Sequence, residues 1–181
     1  RRQTSKMIVI FFGAYRADSD HLIKDCLKKY RHIARGVGKD DAIRQIANVK
    51  DDEIIVLRKG KPHFENIDVK FSLSHSRGVY AAAFSEREVG VDIEAVRRPP
   101  QRVAALIDAK AEDFFLRWTC LEALAKFSGE GLRFFSGGKE QIARRERQLK
   151  EAGIIVRNFP IVSGFAAAVA GTFGEIILVK N

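Results

Sequence analysis

Six residues, Val89-Gly90-Val91-Asp92-Ile93-Glu94, restrict the fold more than any other stretch of the chain. Extended backbone sends successive side chains to opposite faces, so Val91 and Ile93 share one face and Asp92 and Glu94 the other. The first face belongs in a core. The second carries two carboxylates ~7 Å apart that repel each other unless water or a cation separates them. Mg²⁺ takes one or two protein carboxylates together with waters and phosphate oxygens, so this pair suits a hard divalent ion. The solvated face of an edge strand would give the same pattern.

The flanking sequence predicts what surrounds this strand. Lys70 to Ser74 and Val79 to Phe84 read as two more strands, with turns at Arg77-Gly78 and Ser85-Glu86-Arg87, so Lys70 to Glu94 is expected to form an antiparallel meander. Upstream, Met7 to Phe12 is a buried strand. Asp18 or Ser19 caps a helix from Asp20 to Ala34, with Leu22, Ile23, Cys26, Leu27 and Tyr30 on its apolar stripe. A second helix is expected over Asp40 to Asn48 and a strand over Glu53 to Leu57, ending in the basic turn Arg58-Lys59-Gly60-Lys61-Pro62. Downstream, Arg97-Arg98-Pro99-Pro100 breaks the chain. A helix from Glu112 stops at Gly129, and a charged helix covers Lys139 to Ala152. Strands at Ile154 to Val156, Gly164 to Val169 and Glu175 to Val179 close the chain. The fold class is α+β: two similar, pseudo-twofold halves, 7–95 and 106–181, each a three- or four-stranded mostly antiparallel sheet with a packed helix. Residues 1–6 are polar and basic, without the apolar region of a secretory signal, and are expected to be a disordered extension.

Two further stretches carry charge in apolar company. Within Phe114 to Lys126, Glu122 and Lys126 lie four apart and so on one helix face, with Trp118 a turn earlier. They read either as a surface ion pair or as a third carboxylate and a phosphate-neutralising lysine. Ser74-His75-Ser76-Arg77 ends a strand with four groups able to donate to phosphate oxygens. Neighbouring residues on a strand face opposite ways, which argues against a hydrolytic Ser-His pair.

Composition narrows the partners. The 181 residues carry a net charge of +9, which calls for an anionic partner: nucleic acid, a polyphosphate ligand or an acidic protein. The Lys139 to Lys150 helix, with Arg144, Arg145 and Arg147, is the natural nucleic-acid surface, yet it lacks aromatic stacking positions and leaves the three acids unexplained. Two cysteines without metal-ligand spacing, and no apolar run near ~20 residues, predict a cytoplasmic protein that does not enter membranes.

Taken together and in order, Gly60-Lys61-Pro62, Phe71-Ser72-Leu73-Ser74-His75-Ser76, Val89 to Glu94 and Trp118-Thr119-Cys120-Leu121-Glu122-Ala123-Leu124-Ala125-Lys126 resemble the 4′-phosphopantetheinyl transferase superfamily, most closely its surfactin-synthetase-activating type. The resemblance implies a monomer that moves phosphopantetheine from coenzyme A to a serine of an acidic apo carrier protein, acyl or peptidyl. It implies that Asp92, Glu94 and Glu122 hold Mg²⁺, that Glu122 helps deprotonate the serine, and that Lys126 balances pyrophosphate charge. Lys61, Ser74 and His75 would grip the 3′-phosphate and adenosine end, with Lys28, Lys29, Arg31, Arg35 and Arg44 as further basic candidates. Two departures stand out. Leu121 occupies the place of the family's lysine, a charge that Arg117 could supply, and the Glu94-to-Glu122 connection is short for the larger members. A coenzyme A-binding relative with weakened catalysis is the alternative that Leu121 raises, and a basic nucleic-acid-binding domain is the other.

Overall fold

A computed structural model describes residues 7–15, 18–34, 55–58, 61–64, 67–172 and 174–181. The apolar run near the start forms β1 (Met7–Ala14), and α1 (Ser19–Ala34) follows. The Asp18 carboxylate accepts the free His21 backbone N–H at 3.0 Å, as the expected cap. The hairpin β2 (Ile55–Arg58) and β3 (Lys61–Phe64) comes next, then β4 (Lys70–Ser76), β5 (Val79–Ser85) and β6 (Val89–Ala95). Lys61 and Pro62, expected in a turn, lie in β3, where Pro62 stands opposite Leu57. A two-stranded ribbon has free edges, so a residue without an N–H is tolerated there. The expected helix over Asp40 to Asn48 and the expected extension 1–6 lie outside the described residues.

The C-terminal part holds α2 (Gln101–Leu106), α3 (Phe114–Ser128), a 3₁₀ turn (Gly131–Phe135), α4 (Gly138–Glu151), β7 (Ile155–Asn158), β8 (Phe165–Gly171) and β9 (Glu175–Lys180). Gly129 ends α3 with φ of 72°, the left-handed geometry that halts a helix most easily at glycine.

The strands form a four-stranded sheet in the order β4-β5-β1-β9 and a three-stranded sheet in the order β6-β8-β7, besides the β2-β3 ribbon. Among the described residues, every pairing is antiparallel except β1 with β9. This is the expected α+β class. The connectivity differs from the expectation at two strands: β4 and β5 pair as a hairpin, but β6 leaves the meander and pairs with β8, and β9 crosses to β1. Burial explains the departure of β6. All of β6 except the half-buried Glu94 is buried, so the strand needs cover on both faces, which one solvated sheet could not give. Because β9 returns to β1, the first sheet is closed by the chain's last described strand.

Three apolar clusters set the layers. Ile23, Cys26, Leu27 and Tyr30 of α1 pack on Val9, Phe11, Ala82 and Phe84 of the larger sheet. The opposite face of that sheet, Ile8, Ile10, Ala81 and Ala83, meets Val91, Ile93, Ala167 and Val169 of the smaller sheet. Ala166, Ala168 and Ala170 then face Leu121, Leu124 and Phe134 on the far side. The order is helix, sheet, sheet, helix, and the alternating residues of β6 stand between the two sheets and α3. Among the described residues, no helix is long and apolar enough to cross a membrane.

Candidate functional site

Gly90 is where the site begins. A Cβ there would sit 2.0 Å from the Ala123 carbonyl oxygen and 2.5 Å from the Phe127 nitrogen, so α3 lies directly on the backbone of β6. Only glycine permits so close an approach. It brings Glu122 and Lys126 of α3 over Asp92 and Glu94, the next residues of β6 on the same face. A glycine inside a strand pattern is the sequence signal that marks this contact, and reading for charge alone passes over it.

Lys126 Nζ donates to Asp92 Oδ1 at 2.7 Å, and the Ser74 hydroxyl donates to the same oxygen at 2.8 Å. Ser76 Oγ donates to Glu94 Oε2 at 3.0 Å. Asp92 is only 4% exposed, and its other oxygen, Oδ2, is buried with no hydrogen-bond partner. Such an oxygen carries a full desolvation cost unless a cation or a proton reaches it. Burial is also the main influence on Glu122, and the negative charge of Asp92 adds to it. Lys126 opposes them, Glu94 reinforces them, and the carboxyl is pushed up to about 7. Glu122 thus feels the charges of Asp92, Glu94 and Lys126 in a partly buried setting. The expected i,i+4 partnership of Glu122 with Lys126 is not the one the lysine makes; its hydrogen bond goes across to Asp92.

The remaining expected site residues fall in two places. Lys61 Nζ donates to Glu88 Oε2 at 2.5 Å, to the Val89 carbonyl at 3.1 Å and to the Phe127 carbonyl at 3.4 Å, close to the C-terminal end of α3. With Lys126, Ser72, Leu73, Gly129 and Gly131 it lines a cleft of about 190 Å³. His75 points the other way from Ser74, is exposed, and stacks on Tyr15 with ring centroids 4.1 Å apart. Gly60, Arg35 and Arg44 lie outside the described residues. Lys28, Lys29 and Arg31 stand on α1.

Leu121 and Arg117 belong to the helix but not to the site. Leu121 is 0% exposed, inside the apolar cluster between α3 and the smaller sheet, where an ammonium group would be stripped of water. Arg117 cannot stand in for the missing lysine, because Nη1 and Nη2 are held by the two oxygens of Glu146 at 2.7 and 2.5 Å. Trp118 stacks between Phe114 and Phe135 and supports the helix rather than a ligand.

The donors suit a hard divalent cation. Asp92 Oδ2 is buried and unpartnered, Glu94 lies next on the same face, and the Glu122 carboxyl responds to both charges. Among the described residues, no group of three or more His, Cys, Asp or Glu side chains is placed to hold a metal ion. Waters and phosphate oxygens would complete the shell of such an ion, as they commonly do for Mg²⁺.

The chain is similar to the 4′-phosphopantetheinyl transferase gsp of Aneurinibacillus migulanus, 29% identical over 104 residues. That match takes in 49% of this chain and 44% of the relative, so the chain spans less than half the length of that protein. No protein-family model matches the chain. The similarity supports the superfamily-level resemblance.

Proposed function

We propose that the protein transfers 4′-phosphopantetheine from coenzyme A to a serine hydroxyl of an acidic apo carrier protein. The observation that carries the reading is the meeting of Asp92 and Glu94 with Glu122 and Lys126 across the Gly90 contact, with one Asp92 oxygen left unpartnered. The partial similarity to a protein of that name supports it.

In this reading Asp92, Glu94 and Glu122 would hold Mg²⁺, which when bound supplies positive charge against the pyrophosphate oxygens. Glu122 takes the proton from the carrier serine as its oxygen bonds to the β-phosphorus. Without a cation, burial and the Asp92 charge push that carboxyl up to about 7; a bound cation would favour its ionised, proton-accepting form. The bond from the β-phosphorus to the bridging oxygen breaks, 3′,5′-ADP leaves, and the proton passes to solvent. Lys126 balances charge on the departing pyrophosphate oxygen while holding Asp92 in place. Lys61 and His75 are the proposed contacts for the 3′-phosphate and adenosine end, Lys61 from the wall of the cleft it shares with Lys126. The reading includes a monomeric, cytoplasmic enzyme whose net charge of +9 draws both coenzyme A and an acidic carrier, an attraction that added salt weakens.

The test is a mass-shift assay with coenzyme A, Mg²⁺ and a panel of apo carrier proteins. A phosphopantetheine adduct is expected with the wild-type protein and not with Asp92→Ala. Tight coenzyme A binding without an adduct on any carrier would instead identify a binding protein that has lost catalysis.

A further inference from the structure

We propose that Ser74 and Ser76 are positioning residues that set the two β6 carboxylates for a divalent cation, while Ser72 in the same row bonds only the β6 backbone and sets neither carboxylate. The proposal rests on the reading of Asp92 and Glu94 given above and extends it to the neighbouring strand.

Ser72, Ser74 and Ser76 lie two residues apart on β4 and therefore share one face. Strands β4 and β6 belong to different sheets, yet the row of serines runs along β6 in register. Ser72 Oγ accepts the Val91 N–H at 3.0 Å. Ser74 Oγ donates to Asp92 Oδ1 at 2.8 Å. Ser76 Oγ donates to Glu94 Oε2 at 3.0 Å and accepts the Ala95 N–H at 3.2 Å. The first rung is backbone only, and the other two end on carboxylates.

The hydroxyl chemistry gives the difference its meaning. A serine has a single proton to donate, and Ser74 gives it to Asp92, so its proposed role runs through that carboxylate. Ser74 and Lys126 donate to the same oxygen, which fixes the carboxylate plane and leaves Oδ2 buried and unpartnered. Ser74, with one proton, cannot satisfy Oδ2 without abandoning Oδ1, and the Lys126 ammonium sits on the Oδ1 side. A cation is then met by an oxygen already oriented and stripped of water. Partners that orient a ligand in this way typically account for about 10-fold or more in metal affinity. Glu94 is half-buried, so water can replace the Ser76 hydroxyl in part and the effect there is smaller.

The experiment measures Mn²⁺ affinity of the full chain by electron paramagnetic resonance, without coenzyme A, alongside urea unfolding. Ser74→Ala should weaken Mn²⁺ binding about 10-fold and Ser76→Ala roughly threefold, with Ser76→Thr restoring the loss. Ser72→Ala should lower the urea midpoint and leave Mn²⁺ affinity unchanged. Wild-type affinity in Ser74→Ala, with binding abolished in Asp92→Asn, would overturn this inference alone. An equal loss in Ser72→Ala would overturn it too, by showing that any loosening of the strand contact suffices. Absence of Asp92-dependent Mn²⁺ binding in the wild-type protein would overturn the reading of the site with it. If Ser74→Ala does not fold, the half-buried position decides, and unchanged affinity in Ser76→Ala overturns the proposal.

Discussion

Two buried carboxylates, Asp92 and Glu146, are each held by a cation from another element, and they are finished differently. Glu146 meets Arg117 through both oxygens and receives Lys150 on Oε1 at 2.9 Å. Nothing on it is left over. Burial pushes its carboxyl up, but the hydrogen bonds from Arg117 and Lys150 outweigh that and leave it below the ordinary carboxylate range. Asp92 receives two donors on one oxygen and none on the other. A closed pair joins α3 to α4; an open one joins α3 to β6 with one carboxylate oxygen unpartnered. The same charge chemistry serves architecture when every lone pair is used, and is available to a ligand when one is withheld.

The open pair depends on α3 resting on Gly90, and the most severe change removes that support. Gly90→Ala places a methyl 2.0 Å from the Ala123 carbonyl oxygen, with backbone on both sides that cannot give way locally. A loss of more than about 3 kcal/mol in urea unfolding is expected. A loss below ~1 kcal/mol would mean the helix can lift without harm, and the closeness that gathers the acids would not be required of the fold.

The next two substitutions set the pairs against each other. Glu146→Ala strands two cations and should cost about 2–3 kcal/mol, below the range for fully buried pairs because Arg117 is 32% exposed and partly rehydrates. Mn²⁺ affinity should not move. Asp92→Asn keeps the shape, removes a charge that the fold does not fully satisfy, and should change stability by less than ~1 kcal/mol while abolishing both Mn²⁺ binding and adduct formation. Stability and cation binding measured on both variants check the contrast. If Asp92→Asn unfolds the protein as Glu146→Ala does, the open carboxylate is as structural as the closed one.

The parts of this arrangement legible in sequence were those fixed by local periodicity. Period two put Asp92 with Glu94, and period 3.6 put Glu122 with Lys126, whatever the rest of the chain did. Which strand β6 would pair with was not local. Adjacent turns favoured the β5 side, and burial on both faces sent β6 to β8 instead. The parallel return of β9 to β1 is equally a long-range choice. Lys126 shows the limit on the site: spacing offered Glu122 as its partner, and the buried Asp92 across the Gly90 contact is the one it meets. Leu121 reads in sequence as a missing charge, but its burial makes it a core residue, so Leu121→Lys is expected to destabilise the fold rather than improve ligand binding.

A pH dependence separates the two kinds of acid by sign. Glu146, whose pKa is lowered on folding, stabilises the protein above the unfolded carboxylate value and loses that contribution on acidification. Glu122 works in the opposite direction. Burial and the Asp92 charge raise it from 4.5 to about 7, so between those values the folded state holds a proton that the unfolded state has released. Stability must then fall as pH rises through that window. In chelator, the thermal midpoint of the wild-type protein should decline from about pH 5 to about pH 7.5, and Glu122→Gln should flatten the decline. Added Mg²⁺ should recover part of the wild-type loss at the upper end, because a cation favours the ionised acid, and should do nothing for Glu122→Gln there. A wild-type curve as flat as that of the variant would mean that Glu122 is already solvated, and the contrast between a closed carboxylate and an open, crowded site would reduce to Asp92 alone.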